Sequence, residues 1–358
     1  MNRIIIVCLL ILYFPFQGKG QEFQDILESE VQENMPGILF TILSEDGRIS
    51  WSGAAGVSEK GSGEQLKVGQ TFRIASVTKT FVAASILRLM EMDSLQLEDL
   101  LSEHISPEHN KILSEDYSMD QITIRQVLRH SAGFFDHTHA PEFFNTILSN
   151  PKHEWTRTEQ LQLGVEKGDP IGSPGHQFSY SDTGYILLGE IIEKYSQKDL
   201  DEGIKYLLRL EDLGLNRTDF ERKDPVTDSL RIHQYFQGMD TYEFSPTLDY
   251  YGGGGLLSTT NELVHFFKAL FQNQIFEKPE TLGIMLEPAS YETKASMDYQ
   301  MGMYRVQIKG MMAYTHTGFW GTQVLYIPEK KLFMAANYSS VWRGSAVAPV
   351  FSKVLEVL

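Results

Sequence analysis

Ser76 and Lys79 stand three residues apart inside Phe72-Arg73-Ile74-Ala75-Ser76-Val77-Thr78-Lys79-Thr80-Phe81-Val82-Ala83-Ala84. On a helix that spacing places a hydroxyl and an amine on one face of the same turn. A serine hydroxyl becomes a nucleophile only when a base takes its proton, and a lysine amine serves where desolvation or positive potential favours its neutral form. The segment is apolar on most sides, with Val82, Ile86 and Leu89 on one stripe, which predicts a buried helix. The N-terminus of such a helix adds the positive potential. Taken alone the pair says little: Ser149 and Lys152 repeat the spacing, with Pro151 between them and turn residues around. Ser76 by itself is equally an N-cap with Lys79 in solvent.

A second candidate is Tyr180-Ser181-Asp182, which follows the Pro174-Gly175 turn and precedes a helical pattern through Ile186, Leu187, Ile191 and Ile192. A phenol beside a cationic amine is acidified, so Tyr180 can shuttle a proton between nucleophile and leaving group. The plainer alternative is a half-buried tyrosine at a helix start with Asp182 as its N-cap. A third is His316-Thr317-Gly318-Phe319, between two apolar runs; of the ten histidines only His316 begins a His-x-Gly triplet. The backbone N–H after the glycine, at Phe319, can join the N–H of Ser76 as an oxyanion hole, where one donor contributes about 3 kcal/mol to transition-state stabilisation. A simple glycine turn of a hairpin would look the same.

These residues need a frame. Gly37 to Leu43 and Ile49 to Val57 flank Glu45-Asp46-Gly47 and predict a hairpin, while Gly310 to Tyr314, Thr322 to Ile327 and Leu332 to Tyr338 predict three further strands. Ser345 to Leu358 has a helical pattern, and the stretch from Leu95 to about Phe244 mixes helices and loops. The expected class is α/β of the α+β kind: an antiparallel sheet from both chain ends flanked by helices, with a mostly helical region inserted. The sheet part would span about 21–94 and 245–358, the helical part about 95–244.

The composition limits the chemistry. With 42% hydrophobic and 22% charged residues the chain can build a large core. A formal charge of −16 and no Lys/Arg-rich stretch argue against a nucleic-acid partner. Arg3, the apolar run Ile4 to Phe16 and Gly18-Lys19-Gly20 predict a signal peptide over residues 1–20 with cleavage near Gly20, hence export to the periplasm or medium without a stable membrane anchor. The single cysteine, Cys8, lies within that segment, so the mature chain of residues 21–358 has no thiol chemistry, disulfide or cysteine metal site. The histidines lack ligand spacing, and neither metal nor cofactor is expected.

The three elements in this order resemble the Ser-x-x-Lys, Tyr-x-Asn and Lys/His-Thr-Gly motifs of the class C β-lactamase and D-alanyl-D-alanine carboxypeptidase family. Ser76-Val77-Thr78-Lys79, Tyr180-Ser181 and His316-Thr317-Gly318 are most similar to the soluble carboxypeptidases. Leu128-Arg129-His130-Ser131-Ala132-Gly133 and Gly252-Gly253-Gly254-Gly255-Leu256-Leu257-Ser258-Thr259 extend the resemblance over nearly the whole mature chain. It implies that Ser76 attacks an acyl carbonyl, that Lys79 and Tyr180 manage its proton, and that the N–H groups of Ser76 and Phe319 hold the oxyanion. Asp182, His316, Thr317 and Gly318 would contact a small-molecule or peptide substrate, peptidoglycan-derived peptides among them. Two departures matter. Asp182 stands where the family has asparagine, and a carboxylate cannot donate as an amide does; paired with Lys79 it favours the ammonium. His316 replaces a lysine, so charge for a substrate carboxylate becomes pH-dependent. A peptidase or esterase acting on a D-amino-acid peptide or ester is the expectation, with a β-lactamase or a slowly acylated penicillin-binding sensor as alternatives. The oligomeric state is not encoded legibly.

Overall fold

The computed structural model describes residues 17–221, 230–293, 295–341 and 347–358. The run Gly37-Ile-Leu-Phe-Thr-Ile-Leu-Ser alternates its side chains between two faces, and both are apolar. It therefore forms a strand buried on both sides, β1 (Gly37–Ser44). Ile38, Phe40 and Ile42 pack with Phe23, Leu27 and Phe351, whereas Leu39 and Leu43 belong to the larger core holding Phe81, Phe266 and Phe333. Around β1 run β2 (Ser50–Gly56), β3 (Tyr304–Ile308), β4 (Met311–Gly318), β5 (Thr322–Ile327) and β6 (Leu332–Tyr338). They form one antiparallel sheet in the order β2-β1-β6-β5-β4-β3. The two chain ends meet where β1 pairs β6, from Ile38 opposite Tyr338 to Ser44 opposite Leu332. β3 is absent from the strands expected above; it is the sheet's edge, and its Tyr304-Arg305-Val306-Gln307-Ile308 mixes polar and apolar residues rather than forming an apolar run.

Helix α1 (Gln17–Glu30) and α6 (Pro349–Val357) cover one face. The Lys19 amine donates to the carbonyls of Val357 at 2.6 Å and Leu358 at 3.0 Å. The apolar run Ile4 to Phe16 and Cys8 lie outside the described residues, as does Ser345. No helix among the described residues is long and apolar enough to cross a membrane. The other face packs against α5 (Thr260–Phe271) and, beyond it, α2 (Thr78–Glu91), with Phe81 stacked on Phe266 at 3.6 Å. The inserted region adds α3 (Asp182–Ser196) and α4 (Leu200–Leu208), both packed on α2, with several shorter helices. It also holds short strands: Asp219–Phe220 pairs with Leu256–Ser258, which pairs with Phe72–Arg73, and Tyr235–Phe236 forms a hairpin with Met239–Asp240.

The strand Phe72–Arg73 aims the chain into the site. Arg73 is buried and paired with Glu221, at 2.5 Å from Nε and 3.0 Å from Nη2. Its guanidinium also donates to the carbonyls of Thr241 and Phe244, tying that segment to the strand before Ser76.

Candidate active site

After Arg73 the chain makes a 3-10 turn, Ala75–Val77, before α2 begins. Ala75 adopts φ +46°, a conformation L-residues with a Cβ avoid, which turns Ser76 out of the strand line toward the cavity. Ser76 caps nothing; Ile74 and Val77 occupy the cap positions, neither with a side-chain cap. Three residues on, Lys79 is fully buried. Its ammonium donates to Ser76 Oγ at 3.1 Å and to the Gly253 carbonyl at 2.6 Å, and pairs with Asp182 Oδ1 at 2.6 Å. The carbonyl comes from the run Gly252–Gly255, where Gly252 has φ +121° and a Cβ would sit 2.6 Å from the Tyr185 carbonyl oxygen. Only glycine lets this loop lie so close to α3.

Asp182 is the first residue of α3 rather than its cap; Ser181 holds the cap position without a side-chain bond. Burial raises the Asp182 carboxyl above the usual range, and Asp136 adds to the rise while Lys79 opposes it. Tyr180 lies under Lys79, with Nζ 4.9 Å from its ring centre. The expected acidification of this phenol is reversed. Burial, then the Asp182 charge and Tyr304, push it well above its ordinary value, against a smaller opposing effect of the Ser76 hydroxyl. The lysine cannot acidify it because Asp182 cancels the lysine's charge at close range. Tyr180 is therefore a protonated phenol at neutral pH.

His316 lies on β4 and is 1% exposed. Its Nδ1 bonds the Thr317 carbonyl at 2.8 Å, leaving Nε2 to accept from the Tyr299 hydroxyl at 3.3 Å. Burial, with Lys79 nearby, pushes its pKa down to about 3. The pH-dependent positive charge expected of it is thus missing across the neutral range. Thr317 and Gly318 run beside the nucleophile's turn: a Cβ on Gly318 would stand 2.1 Å from the Ile74 carbonyl oxygen. β3 pairs β4 only as far as Thr315, so Gly318 and Phe319 lie on an open sheet edge. The turn after Gly318 is held by Gln234 and Asn337, both donating to the Trp320 carbonyl, at 2.8 Å and 3.2 Å. Among the described residues neither the Phe319 N–H nor the Ser76 N–H, in the first turn of its 3-10 helix, has a backbone acceptor outside regular elements.

Ser76, Tyr180, Asp182 and Phe319 line one cavity of about 250 Å³; His316, Thr317 and Gly318 are not among its walls, His316 being buried and the other two half-buried on the β4 edge. Its other walls were not foreseen. Phe143, Phe144, Phe236 and Trp320 make it aromatic, and Asp136 and Asp249 add carboxyls. Burial, then Asp182, pushes Asp249 up to about 7. No local signal marks these residues, since they come from separate segments, among them the helix Pro141–Ser149 and the strand Tyr235–Phe236. Ser149, the rival Ser-x-x-Lys serine, is exposed and bonded to helix carbonyls. Asp99, Glu103 and His104 come together, but His104 engages both ring nitrogens with Asp99 and Tyr195, leaving none for a metal.

A family model described as Beta-lactamase matches residues 21–342. Among curated relatives, the chain is similar to Penicillin-binding protein 4* of Bacillus subtilis (24% identity over 326 residues, 85% of this chain and 67% of that one). It is also similar to the probable fimbrial assembly protein FimD of Dichelobacter nodosus (28% over 206 residues, 57% of this chain), spanning 50% of that relative's length. Among solved structures, a D-stereospecific amidohydrolase from Streptomyces sp. superposes with a TM-score of 0.79 at 22% identity, covering 94% of this chain and 98% of that one.

Proposed function

This chain belongs to the beta-lactamase family, and on that premise we propose that it is a serine hydrolase that cleaves an amide or ester of a D-amino acid through an acyl-enzyme on Ser76. One observation carries the reading: the Ser76 hydroxyl, at the floor of an aromatic cavity, is hydrogen-bonded at 3.1 Å to a lysine that is itself ion-paired at 2.6 Å.

Ser76 Oγ attacks the acyl carbonyl carbon and its proton passes to Lys79 as Lys79 gives one to Asp182, whose burial favours the neutral carboxyl. Asp182 thereby supplies the proton sink that the ion pair would otherwise deny to Lys79. The N–H groups of Ser76 and Phe319 receive the oxyanion. Tyr180, protonated at rest, hands its proton to the departing nitrogen or oxygen and leaves a strongly basic phenolate. Water then attacks the ester and gives its proton to that phenolate, while Ser76 recovers its own from the Lys79–Asp182 pair. Every group returns to its starting state.

The deciding experiment is intact-mass measurement after exposure to a fluorophosphonate, alongside amide and nitrophenyl-ester turnover. The wild type gains one adduct, mapped to Ser76, and Ser76→Ala loses adduct and turnover while keeping its circular dichroism. Turnover that survives in Ser76→Ala overturns the reading. We also place the protein outside the cytoplasm, on the support of the charged and apolar N-terminal segment; recovery from the cytoplasm with Arg3 to Phe16 intact would contradict that placement.

A further inference from the structure

The cavity beside Ser76 holds three carboxyls, and among the described residues one lysine is ion-paired with them. Of its three carboxyls, Asp182 is paired with Lys79. Asp136 is 5% exposed; its Oδ1 accepts the Thr138 N–H at 3.0 Å and the Thr138 hydroxyl at 2.8 Å, whereas Oδ2 has no partner among the described residues. The Asp249 carboxyl has neither hydrogen bond nor ion pair among the described residues. Partial burial disfavours the charged form of such a carboxyl, as at Asp249, and a ligand that brings a cation restores it. Beyond the carboxyls and Ser76, Thr138, His139 and Tyr180 the lining is apolar, with Phe144, Phe236 and Phe319 in mutual ring contact, at 5.9 Å for Phe144 with Phe236 and 5.4 Å for Phe236 with Phe319. Neither lysine nor arginine lines this cavity, His316 is not among its walls and is neutral, and His139 is the one base that faces three carboxyls there.

We propose that the acyl half of the substrate carries a free protonated amine, held by Asp136 and Asp249, and an apolar ring or branched side chain set against the Phe144–Phe236–Phe319 wall. The substrate class is then an amino-acid amide, an amino-acid ester or a peptide with a free amino terminus, cleaved after its first residue. A peptide recognised by its C-terminal carboxylate, or a β-lactam, would set that carboxylate among three carboxyls with His139 as the one base, and is the disfavoured class. This inference rests on Ser76 forming the acyl-enzyme.

The test compares phenylalanine p-nitroanilide, its two enantiomers assayed separately, with 3-phenylpropionyl p-nitroanilide, which lacks only the amine, and with N-acetyl-D-alanyl-D-alanine, which carries the carboxylate. For the better-cleaved enantiomer, kcat/KM exceeds that of the desamino analogue by about 100-fold, the scale of a desolvated charge pair. In Asp249→Asn and in Asp136→Asn that ratio falls about tenfold or more, being a ratio within one variant and so independent of how much of the variant is folded. Fluorophosphonate labelling of Ser76 is run in parallel. Labelling with equal cleavage of the amine-bearing and desamino substrates, or with faster release of D-alanine from the acetylated dipeptide, overturns this inference and leaves the hydrolase reading standing. Absence of labelling and of all turnover removes both.

Discussion

The ring of His130 lies 4.2 Å from that of Tyr180, inclined by 33°. Its Nδ1 accepts the N–H of Ser181 at 3.1 Å, and its backbone carbonyl accepts the N–H of Ser179 at 2.7 Å. His130 therefore grips the chain on both sides of Tyr180. It does so at φ +53°, just after the short helix Ile124–Leu128, which a Thr123/Gln126 capping box fixes in place.

That grip makes His130 a positioning residue for the phenol. His130→Ala should lower kcat about 10- to 100-fold with a smaller change in KM, because a loosened proton donor costs the chemical step more than binding. His130→Asn, whose side-chain oxygen can take the Ser181 N–H, should recover part of the loss. Steady-state kinetics of both variants check this; a kcat in the alanine variant equal to wild type would rule the role out.

Asp182 gives a sharper expectation. Asn at this position is what the family usually carries, yet an amide cannot take a proton from Lys79. Asp182→Asn should slow the acylation burst with p-nitrophenyl acetate by about 100-fold, the ordinary contribution of a proton-transfer partner. It should also destabilise the fold, since the buried ammonium then has neutral acceptors alone, the Gly253 carbonyl, Ser76 and the new amide oxygen, in place of an ion pair. An acylation rate equal to or above wild type would show that Asp182 takes no part in the transfer.

Much of this was legible where the physics is local. Ser76 and Lys79 meet because positions three apart on a helix always do. Gly47, at φ +73°, closes the first hairpin where Glu45-Asp46-Gly47 marks a turn, and β1 and β6 read as apolar runs because helices cover both their faces. What depends on tertiary placement was not legible. Neutral His316, protonated Tyr180 and the raised carboxyl of Asp249 owe their states to burial and to neighbours distant in the chain. Setting the Lys79 charge beside Tyr180 without burial and the Asp182 charge gives the phenol the opposite direction.

Three buried histidines set the acid limit of stability. Burial is the leading cause for each: it holds His130 well below 6.5, His137 down at about 4 and His316 at about 3. The unfolded chain takes these protons near pH 6.5 and the folded chain refuses them, so the stability present above that pH is lost as pH falls. Each contributes about 1.4 kcal/mol per pH unit. Asp249 works in the other direction: its raised carboxyl contributes most below about 4, and that is lost as pH rises to about 7. Asp182, Asp201, pushed up to about 6, and Glu262 share that sign, while the lowered carboxyls of Glu91 and Glu190 act with the three histidines, and that combined set makes net stability fall on acidification. Urea midpoints at pH 7.5, 5.5 and 4.5 should drop steadily, His316→Gln should flatten the drop, and Asp249→Asn should steepen it. A midpoint that rises between pH 7.5 and 5.5 would contradict the assignment.

Gly318 separates the chemistry from the fold. A methyl there would meet the Ile74 carbonyl oxygen at 2.1 Å, far inside contact distance, and both atoms belong to backbone that rotamer changes cannot move. The clash is relieved only if the open end of β4 draws back from the Ala75–Val77 turn. That edge has no further strand beyond Thr315, so it can yield without unzipping the sheet. The Phe319 N–H moves with it, away from the Ser76 N–H, and the oxyanion loses a donor worth about 3 kcal/mol, or roughly 100-fold in kcat. Gly318→Ala should therefore remain folded, with a thermal midpoint only a few degrees lower, yet acylate about 100-fold more slowly with the Ser76–Lys79 hydrogen bond undisturbed. Fluorophosphonate labelling rates read beside the melting curve distinguish the cases: wild-type labelling would mean that Phe319 donates nothing to the oxyanion, and outright unfolding would mean that the β4 edge is part of the core.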